Sequence, residues 1–383
     1  MNVRNVQFKS EPRFDTTYLS NLGIQSYGKD NIYPQMLRRV VLSSPTGQGC
    51  LRRYARFIEG NGLRDVELSE KVVDRKGNSV DAVLSLMCAD YAMYGGFALH
   101  IGYNVFGQIC EINHVPFEMC RLEEPDDMGR VNRIVVHPDW MGKTSRKGRA
   151  VQINRKTCDY LPVFNPRREV VLAQMENVGG VELYRGQILY FGQGYNRYPI
   201  GRADSVITEM STDEGLANVK YRNVRNNFLP AGMLFTYRGA DTQTDDLHRQ
   251  QPDEFSEILK QFQGDSKACR ILEIVLESNE SKPEYVAFPT NNFDKEFTAT
   301  EESVTARIYA AYGQENFYCI RTGKVGFSGD VTRDAFDVYN SEVNPEQRTI
   351  ERTLSRIFEH WYEPVNEDFS IEPLKYVANA LPT

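Results

Sequence analysis

Apolar residues in the first quarter of the chain recur every three or four positions, which is the spacing of amphipathic helices. The spacing predicts two short helices within residues 31–60, separated by the Ser-Pro-Thr-Gly sequence at 44–47. A third helix is predicted over residues 79–93, where Asn78-Ser79 provides the cap and Gly95-Gly96 the end. Three helices are therefore predicted within residues 31–93.

The pattern then changes to alternating apolar and polar positions, which is the period of a β-strand. Residues 97–103 and 109–112 predict a hairpin, and further strands are predicted over 134–136 and 188–191. We therefore expect residues 1 to about 200 to form one α+β domain.

The second half predicts two helices that enclose a small module. Residues 203–227 carry only a thin apolar stripe, so we expect this helix to find apolar partners on another helix or another chain. Residues 229–288 predict a compact β-α-β module, and a second helix follows over 298–312.

The end of the chain predicts a glycine-rich loop and two more helices. The helices cover residues 331–343 and 346–362, and Asn344-Pro345 separates them because proline favours the first turn of a helix. A final short strand is predicted near residues 369–377.

Composition and charge exclude several classes of protein. The chain has 383 residues with 45 basic and 52 acidic side chains, a net charge of -7. This balance argues against tight nucleic-acid binding through a general basic surface, but not against a protein past which DNA slides. No stretch approaches ~18 apolar residues, so no membrane span is expected. We expect no secretion signal, and the seven scattered cysteines are typical of a reducing cytosol.

One short motif resembles a nucleotide site. Gly142-Lys143-Thr144 matches the end of a phosphate-binding loop, but His137 stands where that loop needs a glycine, and Pro138 removes a backbone donor. Gly192-Gln193-Gly194 follows a predicted strand, yet Arg197 replaces the third glycine of a dinucleotide fold. We interpret both as ordinary turns.

The residue types of metal and catalytic sites lack the required spacing. The candidate zinc ligands are Cys110, His114 and Cys120, but no two of these cysteines have the C-x-x-C spacing of a zinc site. A buried structural role is therefore favoured for them over zinc binding. The acidic residues of 123–127 are interpreted as a solvated turn, and no serine lies in a nucleophile elbow. The residues therefore support neither an enzyme nor a cofactor.

Several short segments between residues 30 and 362 follow one another in a characteristic order. They are DNIYP at 30–34, IEGNG at 58–62, ICEINHV at 109–115, PIGR at 199–202, NNFLPAGML at 226–234, IYAAYG at 308–313 and NPEQ at 344–347. Their order resembles the portal proteins of tailed bacteriophages, the rings at a capsid vertex through which DNA enters and leaves.

The resemblance implies an α+β portal fold with an α/β wing, a two-helix stem and a small β-α-β clip. The implied boundaries are 1–202 for the first part of the wing, 203–228 and 289–312 for the stem helices, 229–288 for the clip, 313–330 for a tunnel loop, and 331–383 for the rest of the wing with a minimal C-terminal tail.

The resemblance also implies site residues, and none of them is catalytic. In the tunnel loop, Arg321, Lys324 and Phe327 are expected to face DNA, although composition alone favours a flexible surface loop with solvated charges. The stem residues expected to pack subunits or line the channel are Lys220, Arg222, Arg225, Val304, Arg307 and Ile308.

The implied partners are further copies of the chain in a closed ring of about a dozen. The other implied partners are double-stranded DNA, bound without sequence preference, the major capsid protein, the terminase large subunit and a head-tail adaptor. The implied location is the capsid vertex of a virion, after synthesis in the host bacterial cytoplasm.

Two alternatives remain open. Another ring-forming virion or adaptor protein is distinguished by whether the 229–288 module lies between two helices of the same chain. A nucleotide-using enzyme at Gly142-Lys143-Thr144 is distinguished by an ATP hydrolysis assay.

Overall fold

The computed structural model describes residues 16–142, 145–146, 149–150, 152–194, 198–225, 233–237, 272–276, 293–326 and 328–376. The chain divides into two compact units. One is discontinuous and contains Met1–Ser211 and Thr305–Thr383, and the other is Thr212–Val304. The second unit is therefore an insertion within the sequence of the first.

The two helices predicted within residues 31–60 are confirmed. Helices α1 (Tyr33–Ser43) and α2 (Pro45–Glu59) are separated at Ser44, whose hydroxyl accepts a hydrogen bond from the Gly47 amide at 2.9 Å. A short helix α3 (Val66–Glu70) follows.

The third predicted helix, α4 (Val80–Tyr94), begins and ends where the sequence indicates. The hydroxyl of Ser79 accepts from the Ala82 amide at 3.3 Å, and Gly95 adopts a left-handed φ of 74° after the last turn. Local capping signals therefore set both ends of this helix.

Two three-stranded antiparallel sheets hold the strands that follow. The first has the order β10-β3-β4, from β3 (Gly96–Tyr103), β4 (Ile109–Val115) and β10 (Gln187–Gly192), which confirms the predicted hairpin. The first four residues of β3 are all buried, so both faces of this central strand are covered.

The second sheet has the order β5-β6-β9. Its strands are β5 (Cys120–Leu122), β6 (Arg133–Val136) and β9 (Asp159–Pro162). Two-stranded pairs form from β1 (Tyr18–Leu19) with β2 (Ile24–Gln25), and from β7 (Ser145–Arg146) with β8 (Arg149–Ala150). Helix α5 (Arg168–Asn177) precedes β10.

The inserted unit contains one parallel pair of strands, β11 (Met233–Tyr237) and β12 (Leu272–Leu276). Parallel neighbours need a crossover connection, which agrees with the predicted β-α-β order. The residues that connect these two strands lie outside the described part of the chain.

Helix α6 (Ile207–Arg225) precedes this pair, and α7 (Phe293–Ala311) follows it. The chain continues through α8 (Glu315–Arg321) and α9 (Gly329–Phe358). Three-residue and five-residue 3-10 turns occur at Phe117–Met119 and Arg202–Val206.

The predicted division of the last helices at Pro345 is wrong. Helix α9 runs for 30 residues with Pro345 inside it. Proline removes one helical hydrogen bond, but Val343, Glu346 and Gln347 on either side of it are all buried. Tertiary packing therefore holds the helix together across a residue that usually ends one.

The predicted strand near residues 369–377 is also wrong over its described residues. Only a single antiparallel bridge is found there, between Ile371 and Leu63. Both side chains are buried, so the apolar pattern of this segment reflects contact with the core rather than membership of a sheet.

Candidate DNA-facing segment and stem helices

The predicted tunnel loop is not a continuous loop. Residues 315–321 form α8, residues 322–326 form a turn, and Ser328 caps α9 by accepting from the Val331 amide at 3.2 Å. The expectation of a loop throughout 313–330 is therefore corrected to a short helix and a turn. Phe327 lies outside the described residues.

The side chain of Gln314, immediately before α8, is fully buried and fixes the start of this helix. Its amide nitrogen donates to the Cys50 carbonyl and to the Tyr339 hydroxyl, both at 2.9 Å. Its amide oxygen accepts from Arg53 Nη1 at 3.0 Å. These three bonds connect α8 to α2 and α9, so the segment is anchored at its first residue.

The turn after α8 has the hydrogen bonds of a Schellman motif. Gly323 has a φ of 70°, its amide donates to the Ile320 carbonyl at 3.1 Å, and the Lys324 amide donates to the Cys319 carbonyl at 3.0 Å. The backbone of Lys324 is consequently held against the last turn of α8.

The two predicted DNA-facing cations lie beside aromatic rings on this segment, and both residues are exposed. Arg321 Nη1 donates to the Tyr309 hydroxyl at 3.2 Å. Lys324 Nζ lies 5.5 Å from the centre of the Tyr318 ring, and the Tyr309 and Tyr318 rings are 5.4 Å apart. The tyrosines hold the cationic groups close to the surface while leaving them accessible to solvent.

A cluster of polar side chains lies behind the segment. Arg202 Nη2 lies 2.9 Å from Glu346 Oε1 and Arg202 Nη1 lies 3.3 Å from Glu342 Oε1. The guanidinium also lies 4.4 Å from the centre of the Tyr54 ring, and the Tyr54 hydroxyl donates to Glu346 Oε1 at 3.1 Å. We call Arg202, Glu342, Glu346 and Tyr54 the Arg202 cluster.

The Arg202 cluster joins residues far apart in the sequence. Arg202 Nη1 also donates to the Tyr312 carbonyl at 3.4 Å, at the corner between α7 and α8. Burial raises the pKa of Tyr54 far above its ordinary value, so its hydroxyl remains a donor to the glutamate at neutral pH. The cluster thus connects α2, the turn before α6, the corner before α8, and α9.

Gly313 occupies that corner with a left-handed φ of 66°. A Cβ at this position would collide with the Glu342 carboxylate. The backbone conformation therefore favours glycine here, and a larger residue would also have to displace the Glu342 side chain.

The described stem residues divide into buried and exposed groups. Val304 and Ile308 on α7 are buried, at 8% and 0% exposure, whereas Arg307 is largely exposed and its Nη1 lies 3.3 Å from Glu209 Oε1. Lys220 on α6 is ion-paired with Glu301 on α7. Arg222 and Arg225 belong to α6, but their side chains are not described.

Helix α6 becomes progressively exposed toward its C-terminal end. Among its described side chains, Met210 is the last buried one, while Val219 and Tyr221 are 38% and 58% exposed. The expectation that another helix or chain covers this thin apolar stripe remains a prediction.

Of Cys110, His114 and Cys120, for which a buried structural role is predicted, only Cys120 is buried, while Cys110 and His114 are half-buried. His114 Nε2 lies 2.7 Å from Asp90 Oδ2, and Cys120 is buried. Within the described residues, no group of three or more potential ligands could hold a metal ion. His137 is buried, and its Nδ1 accepts from the Asp139 amide at 3.1 Å. Lys143 and Thr144 lie outside the described residues.

None of the described helices is both long enough and apolar enough to cross a membrane.

The sequence patterns did not indicate Arg121, which is fully buried. Its guanidinium donates to Asn31 Oδ1 at 2.6 Å and to the Asn31 carbonyl at 2.7 Å, and it lies 4.9 Å from the Trp140 ring. Burial lowers the pKa of this guanidinium. The contacts connect the start of α1 with β5, and no periodicity in the sequence marks a residue whose partners are this distant.

Comparison with known proteins gives matches among solved structures only. No protein-family model matches the chain, and no curated protein matches it. A chain of the virion of a native gene transfer agent particle is 15% identical, with a TM-score of 0.48, and the match covers 91% of this chain and 84% of that one. A chain in the neck of the native particle, computed with C12 symmetry, is 14% identical with a TM-score of 0.47 and the same coverage.

A further similar structure is an HK97-family phage portal protein from Corynebacterium diphtheriae. It is 12% identical with a TM-score of 0.30, and the match covers 71% of this chain and 74% of that one. The solved structures that this chain resembles are thus virion and neck chains of a gene transfer agent particle and a phage portal protein.

Proposed function

We propose that this chain is a portal-type structural subunit, which forms a ring at a capsid vertex and surrounds a channel for double-stranded DNA. One observation carries the proposal. The β11–β12 pair lies between α6 and α7 of the same chain, within a unit inserted into a discontinuous larger one. This arrangement is the feature that distinguishes a portal from other ring-forming virion or adaptor proteins, and the order of sequence segments that resembles portals supports the same assignment.

In this proposal, the wing is formed by residues 1–202 and 331–383, the stem by 203–228 and 289–312, and the clip by 229–288. A ring needs a heterologous interface that closes on itself. Val219 on α6 is an apolar side chain that is 38% exposed, and in this proposal it supplies part of that interface.

The segment 313–330 lines the channel in this proposal. Arg321 and Lys324 are the only cations in the sequence between Arg307 and Arg333, and both are exposed. A small number of cations in a chain of net charge -7 contacts phosphates without holding the DNA in place.

The remaining partners follow from the position of such a ring. The major capsid protein surrounds the wing, while the terminase large subunit and a head-tail adaptor dock at the clip in turn. The subunit carries out no chemistry itself, and the motor that moves DNA is a separate protein.

Mass photometry of the purified protein, alone and with the capsid protein, tests the assembly. We expect a closed species of about a dozen copies in at least one of these conditions. A monomer or dimer under every condition, including with the capsid protein, would contradict the proposal.

A further inference from the structure

The helices at the start of the chain concentrate positive charge in a protein that is acidic overall. Between Tyr33 and Glu59 the sequence has five arginines and one acidic residue, Glu59. Of the arginines on α1, Arg38 is neutralised by Glu118 at 2.7 Å. The arginines on α2 are Arg52, Arg53 and Arg56.

Two of the α2 arginines lie on one exposed face. Arg52 and Arg56 are exposed and are four positions apart, which places them on the same side of the helix about 6 Å apart along its axis. Among the described residues, neither has an ion-pair partner. We call this pair the α2 arginine face.

The α2 arginine face borders a groove of about 580 Å³ between α2, α9 and the C-terminal segment. Arg53 lies on its inner side, where its guanidinium is 4.7 Å from the Phe317 ring and bonded to Gln314. Phe336 and Lys375 line the groove from the other elements. Lys375 is ion-paired with Glu372 at 2.8 Å, so the positive charge at this open, partly aromatic groove comes from the three arginines of α2.

We propose that the α2 arginine face binds the phosphate backbone of double-stranded DNA. Guanidinium groups match phosphate oxygens in two-point hydrogen bonds, and side chains spread along a helix axis suit a repeating anion. A small anion would instead need several donors directed at one point. The inference goes beyond the proposed function, because it concerns a surface apart from the 313–330 segment and requires no ring.

The surroundings of the α2 arginine face favour nucleic acid over an acidic protein. The large apolar side chains of α2, namely Leu51, Tyr54, Phe57 and Ile58, are all buried. A protein interface needs an apolar, aromatic-rich centre from which charged residues are depleted, whereas backbone binding to DNA is mainly electrostatic. Arg52 and Arg56 are the large side chains that α2 itself exposes, which meets the second requirement.

The test is fluorescence anisotropy of the full-length protein with a labelled duplex of arbitrary sequence, measured over a series of salt concentrations. The variant Arg52→Gln with Arg56→Gln is expected to bind more weakly, and the slope of log affinity against log salt is expected to fall by about two. The variant Arg52→Lys with Arg56→Lys retains the charges and is expected to keep the original slope.

The control is Arg348→Gln with Arg352→Gln on α9. These arginines are exposed and have the same spacing, but Glu342, Glu346, Glu351 and Glu359 surround them in the sequence. We expect this variant to bind like the unchanged protein. All four arginines are exposed, so the unfolding temperature of each variant should stay close to the original.

Three outcomes would overturn the proposal. The first is absence of binding by the unchanged protein at about 50 mM salt, where phosphate contacts are strong. The second is an equal loss in the α9 control, which would indicate a general effect of charge. The third is unchanged DNA binding with altered oligomeric state, which would identify the face as a contact between copies of the chain.

Discussion

Arg202 and Glu346 are 144 positions apart in the sequence, and their side chains meet at 2.9 Å in a largely buried ion pair. Each lies in one of the segments that resemble portal proteins, PIGR at 199–202 and NPEQ at 344–347. The pair brings the residues that precede α6 against the middle of α9. It thereby fixes the corner from which the proposed channel segment begins.

Removal of Glu346 tests the structural importance of this pair. Glu346→Ala leaves Arg202 and the Tyr54 hydroxyl without their shared acceptor, and we expect a loss of about 3 kcal/mol in the free energy of unfolding. Glu342→Ala is the matched control, because Glu342 is 40% exposed and we expect a loss below about 1 kcal/mol. Chemical denaturation measures both values. Equal losses in the two variants would show that the buried contact has no special role.

Substitution of Gly313 tests the geometry of the corner. Gly313→Ala introduces an unfavourable φ and displaces the Glu342 side chain from its place beside Arg202, and we expect a cost of about 2 kcal/mol. Gly323→Ala has a similar φ of 70° but meets nothing within 4 Å, so its cost should be about 1 kcal/mol. Thermal unfolding of the two variants separates strain from collision. A cost at Gly313 no larger than that at Gly323 would argue against the collision.

The cations of the proposed channel segment are predicted to act on DNA rather than on stability. Arg321→Ala with Lys324→Ala should leave ring assembly intact but impair DNA packaging or retention, because the variant loses two phosphate contacts per subunit. Arg333→Ala is the control, since Arg333 is exposed and paired with Asp330 at 3.3 Å. Packaged DNA per particle is the measurement. Normal packaging by the double variant would remove this segment from the channel.

ATP hydrolysis tests the remaining enzyme alternative. We expect no activity from the purified protein, because buried His137 occupies the position of an essential glycine in the phosphate-binding motif. The control is Lys143→Ala, which should behave identically. Hydrolysis that disappears in this variant would establish a nucleotide site.

Signals that act over a few residues predicted the early helices correctly. Ser44 and Pro45 separate α1 from α2, and Ser79 and Gly95 delimit α4, because a cap and its hydrogen-bond partner are close in sequence. Short apolar runs likewise predicted strands β11 and β12 of the inserted unit.

Features that depend on distant partners were not predictable in the same way. The sequence around Gln314 indicates a flexible loop, but its partners Cys50 and Tyr339 come from other helices. Gly323 is a signal for the end of a helix and could have indicated α8. Pro345 also signals a helix boundary, but the buried residues around it keep α9 continuous. Among the candidate site residues, Arg321 and Lys324 were chosen from the resemblance to portal proteins and stay a prediction, and the sequence did not indicate their tyrosine neighbours.

Cryo-electron microscopy of the assembled protein tests the central claim most directly. We predict a closed ring with a central channel, with Arg321 and Lys324 on the channel wall and the exposed part of α6 covered by a neighbouring subunit. An assembly without a central channel, or a ring that places residues 313–330 on its outer surface, would contradict the account.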